Sequence, residues 1–326
     1  TGNAPGNDMR YTEKRVIASR NFANKIWNAS RFIMMNLEQA DFSDVTLEDL
    51  TSADKWILSK LNTLAKDVTD NMEKYELGIA VQKLNDFLWE EFCDWYIEMV
   101  KPRLYNDADE TKTAAIWTLK TVLIDALKLL HPYMPFITEE IFCTMQEEEE
   151  SIMISSWPEY QESWNFAQDE FVMERVKAVT RGIRNIRAEM DVPNNRKTNV
   201  FIVSEKEELT KAIEGFKQSV MPLMLASDII VQSTKEGIED NAVSIVVPDA
   251  VVYLPLEDLV DFEQEKERLT KEEERLNKEI KRAKGMLANE KFVSKAPEAK
   301  VQEERDKLEK YEQMLAQVKE RMVGLG

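Results

Sequence analysis

Apolar residues in the C-terminal tail of this chain recur at intervals of seven. Phe262, Leu269, Leu276 and Ala283 hold the spacing with Ile280 and Leu287 on the adjoining seam, and Val301, Leu308, Leu315 and Met322 repeat it beside Tyr311 and Val318. A seven-residue repeat keeps one seam of an α-helix turned toward a partner helix. Between the two runs lies "NEKFVSKAP", where Pro297 suits the first turn of a returning helix. The tail is therefore expected to form an antiparallel coiled-coil hairpin. Arms of about thirty residues project roughly 45 Å at 1.5 Å per residue, so such a hairpin buries little and mainly reaches.

Upstream, the period changes to that of packed helices. Phe22, Ile26, Ala29 and Ile33 mark a helix from Asp8 to Leu37. Ile57, Leu61, Leu64, Val68 and Met72 mark a second, and Leu77, Leu84, Leu88, Trp95 and Met99 a third. After the loop "RLYNDADE" come Leu119, Leu123, Leu127 and Leu130, then a short fifth helix from "HPYMPFITEEIF". These are the stripes of a helical bundle. Beyond "SSWPEY" one basic helix leads into short β-branched runs, "TNVFIV", "DIIVQ", "AVSIVV" and "AVVYLPL", with "EELTKAIEGFKQSVMPLML" as a helix after the first. Pro248 and Asp249 read as a tight hairpin turn. A small α/β domain over about 170–255 is expected.

The net charge of −18 belongs mainly to one segment: residues 61–170 hold eight lysines and arginines against twenty-three acids. The ends are close to neutral, so a polyanion can still dock on local basic clusters there. Cys93 and Cys143 lie fifty residues apart, which supports neither a zinc site nor a disulfide framework and points to a reducing compartment. No run approaches eighteen apolar residues, and "TGNAPGNDMR" has no signal-peptide pattern. Without an initiator Met it reads as the start of an excised piece. His131, the single histidine, has no catalytic companion nearby and reads as a helix-end residue. The "EEEE" run at 147–150 lacks a calcium-loop pattern and reads as a solvated loop. No catalytic residue and no metal site is expected.

Three clusters remain. Lys14, Asn21, Lys25, Asn28 and Phe32 share one face of the first helix; this face is either a solvated surface or a nucleobase reader, since amides offer paired donors and acceptors and a ring offers a stacking platform. Arg175, Lys177, Arg181, Arg184 and Arg187 make the helix after "SSWPEY" the most basic in the chain. They either pair with the acidic bundle or face RNA. The hairpin tip gathers Lys281, Arg282, Lys284, Lys291, Lys295 and Lys300 around Phe292 and Val293. Positive charge segregated to a far end suits a polyanion.

The residues also carry a family resemblance. "TGNAPGNDMRYTEKRVIASRNFANKIWNASRF" resembles the segment that follows the catalytic domain in class I aminoacyl-tRNA synthetases of the valine, isoleucine and leucine group. "EFCDWYIEMVKPRLY" and "LLHPYMPFITEEIF" are similar to that group's helical anticodon-binding domain, and "SSWP" to the pair that closes it. An arm with "KFVSKAPEAKVQEERDKL" at its turn is similar to that of valyl-tRNA synthetases. The isoleucine enzymes commonly carry a cysteine-ligated zinc at that end, which two distant cysteines do not supply.

The resemblance implies a mainly α protein in three parts: a helical-bundle anticodon-binding domain at 1–168, a small α/β linker domain at 169–255 and an antiparallel coiled-coil tRNA-binding arm at 256–326. It implies tRNA(Val) as partner, with no DNA and no membrane, in a monomeric cytoplasmic enzyme. ATP and Mg would serve the parent enzyme, whose HIGH and KMSKS signatures and editing domain are absent here. "KFVSK" at 291–295 has the wrong order for the second signature and follows no nucleotide-binding fold. In family terms the first helix receives the anticodon stem and loop, with Lys14, Arg15 and Arg31 on phosphate or ribose and Asn21, Lys25, Asn28 and Phe32 toward bases. The arm supports the outer corner of the tRNA. Two other readings stay open: a helical scaffold whose coiled coil recruits a protein, and the equivalent region of an isoleucine or leucine synthetase.

Overall fold

The structure is a computed structural model describing residues 11–37, 42–146, 148–215, 217–259, 262–289 and 298–324. Helix α1 (Glu13–Leu37) buries Phe22, Ile26, Ala29 and Ile33, the expected stripe, while residues 11–21 are exposed. Asp8 lies outside the described residues. Helix α2 (Ser52–Glu73) buries Ile57, Leu61, Leu64 and Val68. The expected third helix is a continuous rod of three pieces: α3 (Leu77–Asp86), a π-helical stretch Phe87–Tyr96, and α4 (Ile97–Leu104). Leu84, Leu88, Trp95 and Met99 are buried on it, but Leu77 at its start is half exposed. In the π stretch hydrogen bonds reach the fifth residue, so each turn carries more side chains than an α-turn. Here those side chains are bulky, and Phe92 and Tyr96 stack in the core with centroids 6.2 Å apart.

Helix α5 (Lys112–Leu130) runs through the bundle centre with Leu119, Leu123, Leu127 and Leu130 fully buried, and α6 (Pro135–Met145) begins on a proline. His131 stands between them with Nδ1 2.7 Å from Thr138 Oγ1, a structural helix-end residue as expected.

One polar cluster sits inside this apolar bundle. Asp54 and Tyr96 are fully buried and Arg103 is 6% exposed. Arg103 grips Asp54 with two bonds of 2.8 and 3.0 Å, and the Tyr96 hydroxyl donates to the same carboxylate at 2.6 Å. Thr51 donates its N–H and hydroxyl to Asp54 at 2.9 and 2.8 Å. Arg103 Nε and Nη2 reach Thr111 Oγ1 and carbonyl at 2.8 and 2.7 Å. Burial, and then the Asp54 charge, push the Tyr96 phenol well above its ordinary range, so it remains a donor. The start of α2, the rod and the start of α5 are thereby fixed to one another.

Helix α7 (Ala167–Glu189) leads from the bundle into a four-stranded sheet of β1 (Thr198–Val203), β2 (Ala226–Gln232), β3 (Val243–Val247) and β4 (Ala250–Leu254), in the order β2-β1-β4-β3. The one parallel pair, β1 with β2, is joined through α8 (Glu207–Gly215) and α9 (Lys217–Met224), as a parallel connection requires. Val247 pairs with Ala250 around the expected Pro248–Asp249 turn, where Asp249 has φ +67°. One apolar core runs without a break from Phe22 to Leu259. The short α10 (Leu256–Leu259) ends this part.

The tail forms two helices, α11 (Phe262–Leu287) and α12 (Glu298–Gly324), with a small core of its own around Leu269, Leu276 and Val318. Lys284 meets Glu312 at 2.7 Å and Lys319 meets Glu273 at 3.7 Å. The pairs run in opposite order along the two helices, so the arms are antiparallel. The 26 residues of α11 extend about 39 Å.

Two outcomes are expected. Asp54→Ala leaves Arg103 charged and buried without its partner, so it should lower stability by about 3–5 kcal/mol, whereas the apolar pair Asp54→Leu with Arg103→Met should recover most of that loss; urea denaturation checks both. In the native chain, a thiol reagent at pH 8 should label exposed Cys143, slowed because partial desolvation and the neighbouring Glu139 raise its thiol, and should reach Cys93 only on unfolding, because burial removes Cys93 from solvent and pushes its thiol up to about 12.

Candidate nucleic-acid interface

The π stretch and α4 form one wall of an open groove of about 910 Å³, and α7 and α9 form the other. Trp89, Asp94, Trp95, Lys101 and Tyr105 line the first wall, and Arg181, Arg184 and Leu223 the second. Gly182 sets the second wall close to the sheet: a Cβ there would meet Ile245 Cγ2 at 2.9 Å. Lys177 clamps the two walls from behind. It is 1% exposed and bonds Glu91 at 2.6 and 2.9 Å and Glu174 at 3.1 Å. Burial opposes ionisation of Glu174, but Lys177 and Lys60 outweigh it and hold the carboxyl below its ordinary range.

The predicted α7 cluster lines this groove, and the α1 cluster touches residues of its first wall. From α1, Lys25 pairs with Asp94 at 2.6 Å and lies 3.8 Å from the Trp89 ring centroid. Phe32 is half-buried, with Lys101 Nζ 5.8 Å from its ring. Asn21 and Asn28 share that helix face by spacing and are exposed. From α7, the guanidinium groups of Arg181 and Arg184 stand 5.6 and 5.7 Å from the Trp95 ring, and Arg184 Nε donates to the Leu223 carbonyl at 3.0 Å. Cation–π contact holds these cations at the aromatic surface while their remaining N–H groups face the groove.

The other predicted residues separate. Lys14, Arg15 and Arg31 are exposed on α1. Arg187 does not face RNA: it is 3% exposed and donates to the carbonyls of Pro193 and Arg196 at 3.0 and 2.5 Å. Six residues beyond Arg181, it has turned about 240° around the helix, into the core. Arg175 is also occupied, by Asp249 at 2.6 Å. On the arm, Lys281, Arg282 and Lys300 are exposed, with Arg282 3.6 Å from Glu279, while Lys284 is tied to Glu312. Lys291, Phe292 and Lys295 lie outside the described residues.

Sequence reasoning missed Trp89, Trp95, Lys101 and Tyr105. Tyr105 is 71% exposed at the groove's edge and offers the more accessible ring, since Trp95 is buried and Trp89 is covered by Lys25. The signal was present in "KPRLY", two cations followed by an aromatic at the start of a loop.

Residues 54–202 match a family model described as the anticodon-binding domain of tRNA ligase, and residues 261–326 match one described as the valyl tRNA synthetase tRNA binding arm. Among curated relatives, a protein of Clostridium perfringens named valine–tRNA ligase is 51% identical over 328 residues, covering 100% of this chain and 37% of its own length. Proteins of the same name from Carboxydothermus hydrogenoformans and Oceanobacillus iheyensis are 42% and 41% identical, over 94% and 99% of this chain and 35% and 36% of their own lengths. This chain thus spans little more than a third of the relatives it matches. Two matched regions in the order in which the bundle and the arm occur, together with relatives aligned along the whole chain, place it in the valyl-tRNA synthetase family, in the portion that carries the anticodon-binding domain and the tRNA-binding arm.

Proposed function

We propose that this chain is the tRNA-handling part of a valine–tRNA ligase. Its groove receives the anticodon stem and loop of tRNA(Val), and its arm supports the outer corner. The observation that carries the reading is the groove in which Lys101 on one wall and Arg181 and Arg184 on the other come together, edged by Tyr105. Splayed loop bases are read by stacking and by hydrogen bonds to their exposed edges. Tyr105 supplies the ring, Asn21 and Asn28 supply amides, and Lys14, Arg15 and Arg31 follow the backbone, where contacts fix register without reading sequence. Asp94 and Glu98 are each paired with a lysine, Lys25 and Lys101, at 2.6 Å, so Arg181 and Arg184 supply the positive charge offered to RNA in this groove.

Valine activation with ATP and Mg belongs to the part of the ligase outside this chain, in a monomeric cytoplasmic enzyme. The division proposed is a bundle at 1–168, an α/β linker at 169–255 and an arm at 256–326. Within it, α7 joins the first two parts through the shared core.

Three measurements test this. This chain alone should give no pyrophosphate exchange with valine and ATP. Tyr105→Ala or Asn28→Ala should weaken tRNA binding by about 1–3 kcal/mol with the salt dependence unchanged, because each removes a base contact. Changing Lys281, Arg282, Lys291, Lys295 and Lys300 to Gln should instead flatten the plot of log affinity against log salt, by up to about 0.9 per lost phosphate contact. Equal slopes for the arm variant and the parent would remove the arm from the interface.

A further inference from the structure

At the end of the bundle where α3 begins, the molecule exposes apolar side chains that its own core does not use. Phe136 is 90% exposed, Tyr75 81%, Met153 and Ile154 73% each, and Leu77 and Ile79 49% each. They come from three separate connections but form one surface. Tyr133 Oη donates to the Leu77 carbonyl at 3.1 Å, which brings the α5–α6 turn onto the α2–α3 turn. The Ile152 N–H donates to Glu139 at 3.1 Å, which sets Met153 and Ile154 one helical turn from Phe136. Trp157 Nε1 donates to Thr69 Oγ1 at 2.8 Å, closing the ring back to the last turns of α2. Exposed apolar clusters of this kind mark interaction surfaces.

The rim of the surface selects the partner. Glu73, Glu76, Glu140, Glu148 and Glu150 are exposed around it, with Lys74 alone opposing them among the described residues of these segments. An acidic rim repels a polyanion, so this end is not an RNA surface. An apolar centre with a charged rim is the anatomy of a protein interface, here one calling for a basic rim opposite. Chain direction supplies the identity. Lys25 at Asp94 and Phe32 beside Lys101 lay α1 parallel to the rod, so its exposed first half points to the end where Leu77 lies. The relatives carry nearly two thirds of their length ahead of the matched region, and that length enters at the same end.

We propose that this surface, centred on Phe136 and Met153, docks the N-terminal portion of the ligase through an apolar patch rimmed by lysine and arginine. The inference rests on the family membership and is independent of which residues touch tRNA. Docking here sets the bundle's angle to the rest of the enzyme, while the groove and arm stay free for RNA.

Methionine oxidation tests it, with Met35, 76% exposed near the opposite end of α1, as internal reference. Under dilute hydrogen peroxide, Met153 and Met35 should oxidise at similar rates in the isolated chain. In the full-length ligase carrying this chain as its C-terminal part, Met153 should slow at least about tenfold relative to Met35, a shift of about 1.4 kcal/mol in protection. Phe136→Glu or Ile154→Glu should return Met153 to the isolated rate in the full-length protein without changing the melting temperature of the isolated chain. A Met153 rate equal in the two proteins overturns the proposal, as does protection that survives both substitutions. Protection of Met153 in the isolated chain on adding tRNA, or on raising concentration with a doubled mass, overturns it in favour of RNA or of a second copy.

Discussion

Arg103 and Asp54 form the contact on which the bundle's geometry turns. Taking both charges out of water is costly, and the cost is offset only when every donor and acceptor is met. Here Asp54 accepts from Thr51, Tyr96 and Arg103, and Arg103 also reaches Thr111. Apolar side chains alone would let helices slide by small amounts, because burial has no preferred direction. A five-bond carboxylate does not slide. It fixes the depth of α2, α5 and the rod, and thereby the wall on which Trp89, Trp95 and Lys101 stand.

From that fixed wall the groove follows. The π stretch ends at Tyr96, so the residue that anchors the core and those that face the groove share the same few turns. Lys177 repeats the device between bundle and sheet: a buried ammonium held by Glu91 and Glu174 keeps α7 at one distance from the rod. The arm differs in kind. Its small core around Leu269, Leu276 and Val318 is separate from the main one, which suits an element that reaches outward. Charge is distributed accordingly, with acids around the bundle end where α3 begins and exposed cations at the groove's second wall and along the arm.

Much of the fold was legible because burial leaves a periodic trace. The stripes of α1, α2 and α5 and the tight turn at Pro248–Asp249 are each local patterns of a few residues, and each formed as its spacing required; of the tail's repeat, Leu269, Leu276 and Val318 form a small core. The candidate site was legible only in part. Asn21, Lys25, Asn28 and Phe32 were recognisable as an odd polar face. That Lys25 is held by Asp94 and Trp89 was not, since those partners lie about seventy residues away. Arg187 shows the same limit from the other side: its charge suggested solvent, yet local carbonyls and the helix phase bury it.

The sequence by itself determined the helices, the strands, the two antiparallel tail helices and the family, because hydrophobic period and motif order are properties of the string. Only the tertiary structure decided which cations are free. A lysine or arginine reads the same whether it pairs with a carboxylate, rests on an indole or faces water, and that choice depends on what folding brings within about 4 Å. It also decided that Lys101 and the Arg181–Arg184 pair, some eighty residues apart, line one groove and that three unrelated turns share one apolar end, for neither juxtaposition leaves a period along the chain.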